Sequence, residues 1–286
     1  MISLSEVRFA RRLCNGVTLN VAEAGPDNGP LVILLHGFPE FWFGWRHQVG
    51  ALAQAGYRVV APDQRGYNLS DKPRGIANYD IDVLADDVVA LAAHYTSAPF
   101  NLVGHDWGAV AAWWTVTRHP QRVAKLAVLN CPHPAIWRRT MAENPAQMLA
   151  SWYVLFFQIP WLPEALLRAR NYRALEISIR EAKAPVSDDE VARYREAWGR
   201  NGALTATINW YRAIFRHVFE PVAPGAIRVP VRIIWGRQDR YVLPALAEAS
   251  KALCANAELI YVPEATHWVA QDEPNRVNAL LLDFLA

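Results

Sequence analysis

Short, mainly apolar runs alternate with helical patterns along most of this chain. The apolar runs cover residues 31–35, 57–61, 100–103, 123–129, 231–235 and 258–262. The helical patterns cover residues 42–55, 81–95, 107–118, 244–253 and 274–285. An apolar run of about five residues is typical of a strand that is buried on both faces. Strands and helices in alternation predict an α/β protein with a mostly parallel, doubly wound sheet.

The chain is expected to open with a β-hairpin ahead of these strands. Residues 7–13 and 17–23 alternate weakly between apolar and polar side chains, on either side of Asn15-Gly16. An Asn-Gly pair between two such runs is a strong signal for a tight hairpin turn.

The alternation stops between residues 131 and 222, where only helical patterns occur. Ser187 and Glu190 form a predicted capping box at the start of one helix, and residues 204–219 predict another. Open α/β sheets bind their ligands outside the carboxyl ends of the strands, so we interpret this insertion as a cap over that edge. The predicted domains are a core of residues 1–131 and 223–286 and an all-helical cap of residues 132–222.

The sequence Gly104-His105-Asp106-Trp107-Gly108 lies between an apolar run and a helical pattern. It has the G-x-S-x-G spacing of a nucleophile elbow, with aspartate in the serine position. Small residues on both sides allow the sharp turn that leaves the middle side chain clear. An aspartate, with a reference pKa of about 3.9, is already ionised near neutral pH. It can displace a leaving group from a saturated carbon and form an ester that water then cleaves.

A nucleophile elbow predicts that an acid and then a histidine follow in the chain. Asp239 comes just after residues 231–235, and His267 lies between the last predicted strand and the last predicted helix. His267 is therefore the predicted base, and Asp239 is the acid that orients its ring. Asn130 follows another predicted strand and is neutral, which favours Asp239 as the acid.

The loop of residues 36–39 (H-G-F-P) follows the first buried run and precedes a helical pattern. In an elbow architecture such a loop gives one oxyanion-hole amide, and the residue after the nucleophile gives the other. The predicted donors are the backbone N–H groups of Phe38 and Trp107. His36 and His105 flank the site, but no metal-binding motif accompanies them, so no metal is expected.

The leaving group that Asp106 displaces decides what else the site needs. If it is a strained epoxide oxygen, the site needs a proton donor placed over it. Tyrosine is suitable, because its pKa of about 10 keeps it protonated at neutral pH. Tyr153 and Tyr211 both lie on apolar helical stretches of the insertion, but either alone is more typical of core packing, and periodicity leaves open whether they converge. Five further aromatic residues are candidate pocket walls, or equally buried packing: Trp42, Phe43, Trp152, Phe156 and Trp161.

Over nearly its whole length the chain resembles the α/β-hydrolase-fold epoxide hydrolases of the soluble and microsomal type. The resemblance is carried by residues 36–42 (HGFPEFW), 58–67 (RVVAPDQRGY), 104–108 (GHDWG) and 209–212 (NWYR), by Tyr153 with Phe157-Gln158 after it, by Asp239 and by His267-Trp268. One departure is that residues 67–70 (YNLS) lack a second glycine often found there.

The resemblance implies an α/β-hydrolase fold and a set of roles. Asp106 would be the nucleophile, His267 the base and Asp239 the acid, and Tyr153 with Tyr211 would polarise the epoxide oxygen. A small apolar or aryl epoxide and water would be the substrates, a vicinal diol would be the product, and no cofactor would be needed.

Other functions fit part of the pattern. A haloalkane dehalogenase also uses an aspartate nucleophile, and Trp107 has an N–H for a halide; those enzymes usually have asparagine where this chain has Phe38. A haloacid enzyme would need an arginine beside the nucleophile, and residues 107–117 contain none. A binding protein on an inactive hydrolase fold would not need the full residue set, and an esterase would have serine in the elbow. The dehalogenase is therefore the alternative.

Composition restricts the partners and the cellular location that we expect for this protein. The net charge of +2 over 286 residues is too balanced to predict nucleic acid or membrane partners, and no stretch approaches the ~20 apolar residues of a membrane span. Three widely spaced cysteines, with no sign of a secretion signal in the first 25 residues, predict a reducing, cytoplasmic location. The pattern leaves the oligomeric state open.

Overall fold

The computed structural model describes residues 6–286, which form one eight-stranded sheet surrounded by helices. The strands are β1 (Arg8–Cys14), β2 (Val17–Ala24), β3 (Leu31–Leu35), β4 (Arg58–Pro62), β5 (Phe100–His105), β6 (Val123–Leu129), β7 (Val231–Gly236) and β8 (Ala257–Val262). The helices are α1 (Arg46–Gln54), α2 (Ile81–Ala93), α3 (Trp107–Arg118), α4 (Pro134–Glu143), α5 (Pro145–Ala150), α6 (Trp152–Phe156), α7 (Leu162–Ile179), α8 (Asp188–Gly199), α9 (Ala203–Ile214), α10 (Ala245–Lys251), α11 (Val269–Asp272) and α12 (Pro274–Leu285).

The strand order is β1-β2-β4-β3-β5-β6-β7-β8. Strands β1 and β2 form an antiparallel hairpin, and β2 pairs antiparallel with β4, while every other neighbouring pair is parallel. Asn15 and Gly16 join the hairpin with positive φ angles of 47° and 78°, as a tight two-residue turn requires. The predicted hairpin and the predicted mostly parallel sheet are both confirmed.

Apolar runs became strands because the middle of the sheet is covered on both faces. Every residue of β3, β5 and β7 is buried. Helix α1 packs beside α12, and α2 packs beside α3. Parallel strands covered in this way have no solvent-facing side, which explains why their sequences are continuously apolar rather than alternating.

Between β6 and β7 the described residues form helices α4–α9 and no strand. We call α4–α9 the helical insertion. Helix α8 begins with the predicted capping box, in which Ser187 and Glu190 each bond the other's backbone N–H. The division of the chain into a core and a cap at residues 132 and 222 stays a prediction.

Helix α9 ends at Ile214, so the prediction of a helix over residues 204–219 was wrong at its carboxyl end. After α9 the chain makes contacts with the core that a continuing helix would not make. His217 Nδ1 lies 3.2 Å from a carboxylate oxygen of Asp80, and the Phe219 ring lies 5.2 Å from the ring of Trp114. Tertiary contacts therefore override the helical pattern in the last five residues.

Hydrogen bonds fasten the helical insertion to the loops at the carboxyl ends of the strands. The indole N–H of Trp198 donates to the carbonyl of Pro39 at 2.6 Å, after β3. The indole N–H of Trp210 donates to the carbonyl of Arg65 at 3.0 Å, after β4. The Gln147 amide donates to the carbonyl of Tyr241 at 2.9 Å, after β7. The insertion thus lies against the edge of the sheet where ligands of α/β proteins bind.

No helix within the described part of the chain is long and apolar enough to cross a membrane.

Gly108→Ala should destabilise the fold, because α3 approaches β3 without room for a side chain. A Cβ at this position would lie 2.1 Å from the carbonyl oxygen of Leu35. We expect a loss of about 3 kcal/mol in the free energy of unfolding, measured by urea denaturation. Gly199→Ala is the control, because its Cβ would meet nothing closer than 3.4 Å. Equal losses for the two variants would contradict the packing argument.

Candidate active site

Asp106 stands on a sharp turn between β5 and α3. Its φ of 48° and ψ of −122° lie outside the regions that residues with a side chain favour. Glycines make the turn possible: a Cβ on Gly104 would lie 2.6 Å from the Cα of Ala109, and one on Gly37 would lie 2.5 Å from the Cβ of Asp106. The glycines therefore let α3 begin directly after the turn and let the loop after β3 approach the Asp106 side chain.

The carboxylate of Asp106 accepts a hydrogen bond from the loop after β3. The N–H of Phe38 donates to its Oδ1 at 2.8 Å. Trp107 is the first residue of α3, so its N–H has no acceptor within the helix. Of the two predicted oxyanion-hole donors, the Phe38 N–H thus already donates to the Asp106 carboxylate. The Trp107 N–H follows Asp106 directly in the chain.

His267 lies between two carboxylates. Its Nδ1 is 2.7 Å from Oδ2 of Asp239, and its Nε2 is 3.6 Å from Oδ2 of Asp106. The Asp239 side chain is fully buried, whereas that of Asp106 is 17 % exposed. The structure therefore brings together three residues that the sequence separates by more than 160 positions, in the order carboxylate, imidazole, carboxylate.

Asp239 is held by donors on both oxygens. The N–H groups of Tyr241 and Val242 donate to its Oδ1 at 2.8 and 3.0 Å. The Asn130 amide donates to its Oδ2 at 2.8 Å, on the oxygen that also faces His267. These donors on both oxygens keep the carboxylate from rotating away from the imidazole.

Asn130 has a role that sequence reasoning missed. From the sequence, Asn130 is only a neutral residue after a strand, at a position where a catalytic acid could have been. Its side chain accepts from the N–H of Gly236 at 2.8 Å and donates to the carbonyl of that residue at 3.2 Å, as well as to Asp239. Its φ of 45° lies in the left-handed region, where asparagine is one of the favoured residues. The available signal was an amide, rather than an apolar residue, directly after a buried strand.

The charges of the site are coupled. Burial opposes a charge on His267, but Asp239 and Asp106 outweigh it and raise the pKa of His267 from 6.5 to about 10. Burial likewise opposes a charge on Asp106, but His267, with help from His105 and the Phe38 N–H, lowers the pKa of Asp106 below its ordinary value. Near neutral pH the site therefore holds an imidazolium between two carboxylates.

The two flanking histidines bond to protein groups. His36 Nε2 accepts from the N–H of Gln64 at 3.1 Å, and burial lowers the pKa of His36 to about 4. His105 lies 3.2 Å from a carboxylate oxygen of Glu40 and 2.9 Å from the carbonyl oxygen of His267. His105 thus connects the loop after β3 to the loop that carries the predicted base.

One group of three side chains in residues 6–286 could converge on a metal ion, and it lies away from Asp106. It consists of Asp80, Asp82 and His217. Oδ1 of Asp82 already accepts from the indole N–H of Trp114 at 2.7 Å and from Arg118 at 3.0 Å. An oxygen with these two donors is a poor metal ligand, and we assign no metal to this group.

Tyr153 of α6 and Tyr211 of α9 converge, which the sequence could not decide. Their ring centroids are 6.1 Å apart, and both line the same cavity as Asp106. Burial raises the pKa of both phenols well above 10, and the Asp106 charge raises them further. Both hydroxyls therefore remain protonated and can donate to an oxygen in the cavity.

Motif residues beside the tyrosines hold the two helices together. The amide of Gln158 donates to the carbonyl of Tyr211 at 3.0 Å. The guanidinium of Arg212 donates to the carbonyl of Phe157 at 3.0 Å and forms a buried ion pair with Glu164 at 2.7 Å. These bonds fix the end of α6 against α9 and so set the distance between the tyrosine rings.

The cavity at Asp106 is small, about 50 Å³, which is room for a few water molecules. Its remaining walls are mostly apolar: Val110, Cys131, Pro132, Pro134, Trp137, Val154, Ile214 and Val242, beside Trp107. None of the five candidate aromatic residues is among them, so of the two alternatives left open for these residues, that of pocket walls does not hold at this cavity. Trp42 and Phe43 are buried next to Phe41, whereas Trp152 and Trp161 are 59 % and 75 % exposed.

Comparison with known proteins identifies the fold and the family of this chain. The family model for the alpha/beta hydrolase fold matches residues 30–274. Human epoxide hydrolase 4 is 35 % identical over 291 residues, which cover 99 % of this chain and 80 % of that protein. A crystal structure of Bacillus megaterium epoxide hydrolase with an inhibitor superposes with a TM-score of 0.87 at 32 % identity, covering 97 % of this chain and 99 % of that one.

The chain belongs to the epoxide hydrolase family of the α/β-hydrolase fold. The predicted fold class and the predicted family are thereby confirmed. A further relative, the AB hydrolase superfamily protein YfhM of Bacillus subtilis (strain 168), is 46 % identical over 273 residues, which cover 95 % of each chain.

Asp106→Asn should lower the pKa of His267. The substitution keeps the shape of the side chain but removes one of the two charges that raise this pKa. NMR titration of the imidazole should show the wild-type ring protonated to well above neutral pH and the variant ring losing its proton at lower pH. Glu248→Gln, a change of one charge on α10 away from this site, is the control and should leave the titration unchanged. An unchanged midpoint in Asp106→Asn would contradict the proposed coupling.

Proposed function

We propose that this protein converts epoxides to vicinal diols through a covalent ester on Asp106. The observation that carries this proposal is the small cavity in which one carboxylate faces two tyrosine hydroxyls. A carboxylate supplies the nucleophile, and the hydroxyls supply the proton that a ring-opened oxygen needs. Neither feature alone separates the reaction classes, but together they match epoxide opening.

In the first step a carboxylate oxygen of Asp106 attacks one carbon of the epoxide ring. The bond between that carbon and the ring oxygen breaks, and the oxygen takes a proton from Tyr153 or Tyr211. A hydroxyalkyl ester remains on Asp106, and one tyrosinate remains next to it. The Phe38 N–H, 2.8 Å from Oδ1, holds the carboxylate so that one oxygen points into the cavity.

Ester formation prepares His267 for the second step. The ester has no charge, so one of the two causes of the raised pKa of His267 is lost. The imidazolium can then return a proton to the tyrosinate, directly or through water, and become a base. As a base it takes a proton from a water molecule, which attacks the ester carbonyl. Asp239 stabilises the ring in both protonation states.

The attack of water places a negative charge on the former carboxylate oxygen. The N–H groups of Phe38 and Trp107 are the proposed donors to this oxyanion. When the intermediate collapses, the C–O bond to the diol breaks and the proton held by His267 completes the diol. Asp106 keeps the hydroxyl of the water and is released as a carboxylic acid, whose proton passes to His267. This transfer restores the carboxylate and the imidazolium, and the scheme uses only protein groups and water.

We propose a small apolar or aryl epoxide as the substrate, because the cavity walls are mostly apolar. A cytoplasmic location is also a proposal; it is supported by three free cysteines, which are typical of a reducing compartment.

Haloalkane dehalogenation is the second candidate, because it would use the same aspartate. The structure gives it less support than epoxide opening, since Phe38 offers a halide no side-chain donor and the hydroxyls of Tyr153 and Tyr211 would have no task. Halide release from bromoalkanes, compared with diol formation from styrene oxide, separates the two reactions. Ligand-induced stabilisation without either product would instead indicate a binding protein.

A single turnover in isotopically labelled water, with enzyme in excess over styrene oxide, tests the covalent step. We expect the label in the Asp106 carboxylate and not in the diol. In the first turnover one diol oxygen is that of the epoxide, and the added oxygen comes from the Asp106 carboxylate. Asp106→Ala should abolish turnover and accumulate no adduct by mass spectrometry. Label in the diol on the first turnover would refute the ester mechanism.

Tyr153→Phe and Tyr211→Phe should each lower the rate of ring opening on the order of 10²-fold, since each removes one hydrogen bond to the leaving oxygen. The measurement is pre-steady-state formation of the ester. Tyr261→Phe, which changes a hydroxyl on β8 away from the cavity, should leave the rate unchanged. Wild-type rates in both cavity variants would favour the dehalogenase candidate, whose leaving group needs no proton.

A further inference from the structure

Exposed apolar side chains concentrate in one short part of the helical insertion. Of the twelve exposed large hydrophobic residues among residues 6–286, seven lie within residues 148–166. They are Met148, Leu149, Trp152, Leu155, Ile159, Trp161 and Leu166, and we call them the apolar face. A contiguous patch of this kind marks an interaction surface, because scattered single residues are the normal case.

The spacing of these residues places them on one side of the insertion. Met148, Trp152, Leu155 and Ile159 follow one another at intervals of four, three and four residues along α5, α6 and the turn after it. Such intervals align side chains within one helix, and across the break between α5 and α6 the side chains of Met148 and Leu155 line one groove. Trp152 is 59 % exposed and Trp161 is 75 % exposed, so two indole rings stand in solvent with no packing partner over most of their surface.

Arginines border the apolar face. Arg138 and Arg139 line an apolar groove together with Met148 and Leu155, and Glu143 and Glu220 line the same groove. Arg168 and Arg216 line a second hollow together with Trp161. Arg170 lies two residues after Arg168 on α7. Among residues 6–286, no carboxylate forms an ion pair with Arg138, Arg168, Arg170 or Arg216, and Arg139 is 3.9 Å from Glu143.

We propose that the apolar face docks on the surface of a lipid bilayer rich in anionic headgroups. Tryptophan is enriched at the boundary between hydrocarbon and headgroups, and arginine is attracted to anionic lipid. The net charge of +2 predicts no membrane partner, but it is a sum over the whole chain. A sum of this kind does not report a local excess of cations. The contact is with the bilayer surface, since no helix of the described residues is able to span it.

A second copy of the chain fits this surface less well. A two-fold dimer brings the same patch of both copies together. Arg138, Arg168 and Arg216, which have no ion-pair partner among the described residues, would then be gathered in one interface with the same arginines of the other copy, and like charges in an interface are unfavourable. Anionic headgroups neutralise these cations, whereas a second copy concentrates them.

Docking would bring the lipid close to the catalytic cavity, a consequence that rests on the proposed function. The groove beside the apolar face has a volume of about 740 Å³, and its walls include Leu155 and Phe215. The preceding residues, Val154 and Ile214, line the cavity at Asp106. The groove and the cavity are therefore lined by neighbouring residues of the same segments, α6 and the end of α9, so lipid at the groove would lie close to the cavity at Asp106.

Vesicle sedimentation tests the docking without any substrate. The wild-type protein should bind vesicles of equal parts phosphatidylcholine and phosphatidylserine, and binding should weaken with added salt and be much weaker to phosphatidylcholine alone. Trp152→Ser with Trp161→Ser should weaken binding at least ~10-fold, because both indoles leave the interface. Arg168→Gln with Arg216→Gln should weaken it about 30-fold.

Matched controls change exposed residues elsewhere. Leu13→Ser removes an exposed apolar side chain on β1, and Arg228→Gln removes an exposed cation before β7. Both should bind vesicles like the wild type. Vesicle binding that none of the face variants weakens, or no vesicle binding at all, would overturn the proposal. So would sedimentation equilibrium that shows a wild-type dimer dissociated by the tryptophan variant, because the face would then be a protein interface.

Turnover of a water-soluble epoxide without vesicles separates this proposal from the proposed function. The tryptophan and arginine variants should keep wild-type turnover, since their side chains lie outside the cavity at Asp106. Absence of turnover in the wild type would refute the proposed reaction and leave the vesicle result standing.

Discussion

The buried charge of Asp106 is the constraint on which the rest of the site depends. A carboxylate removed from water costs several kcal/mol unless donors and an opposite charge offset the loss. Here the Phe38 N–H and the His267 imidazolium offset it, and the start of α3 adds a favourable dipole. These groups follow three different strands: Phe38 follows β3, α3 follows β5 and His267 follows β8. The charge is therefore stable only when the sheet brings the carboxyl ends of these strands to one edge.

The same charge regulates the proposed base. While Asp106 is ionised, it keeps His267 protonated and unable to act as a base. Once Asp106 becomes an ester, that effect disappears and the imidazole can accept a proton. The sequence of the two half-reactions would thus follow from electrostatics and would not need a conformational change of the histidine.

The helical insertion contributes position more than chemistry. Its two tyrosines would give one or two hydrogen bonds, but their geometry depends on a buried frame. Gln158 and Arg212 bond across from one helix to the other, and Glu164 neutralises the guanidinium. A buried and fully bonded frame of this kind has one arrangement, which keeps the hydroxyls of both tyrosines in the cavity. Of the exposed large apolar residues that the structure describes, most lie on the outer side of the same insertion.

Local features of the sequence carried much of this structure. Continuous apolar runs identified the buried strands, Asn15-Gly16 identified the hairpin, and the capping box identified the start of α8. The glycines around Asp106 and the order Asp106, Asp239, His267 were sufficient to name the candidate residues. These features depend on neighbours in the chain or on the order of elements, and both are visible in one dimension.

Only the tertiary structure decided which side chains meet. It brought Tyr153 to Tyr211, gave Asn130 its bond to Asp239, and ended α9 at Ile214 because Asp80 and Trp114 bind the residues that follow. It also placed Trp152 and Trp161 in solvent rather than in the cavity. The physical reason is that the helical spacing of apolar residues shows which face of a helix is apolar. It does not show what covers that face. Covering depends on how helices pack across the molecule, and no local pattern encodes that.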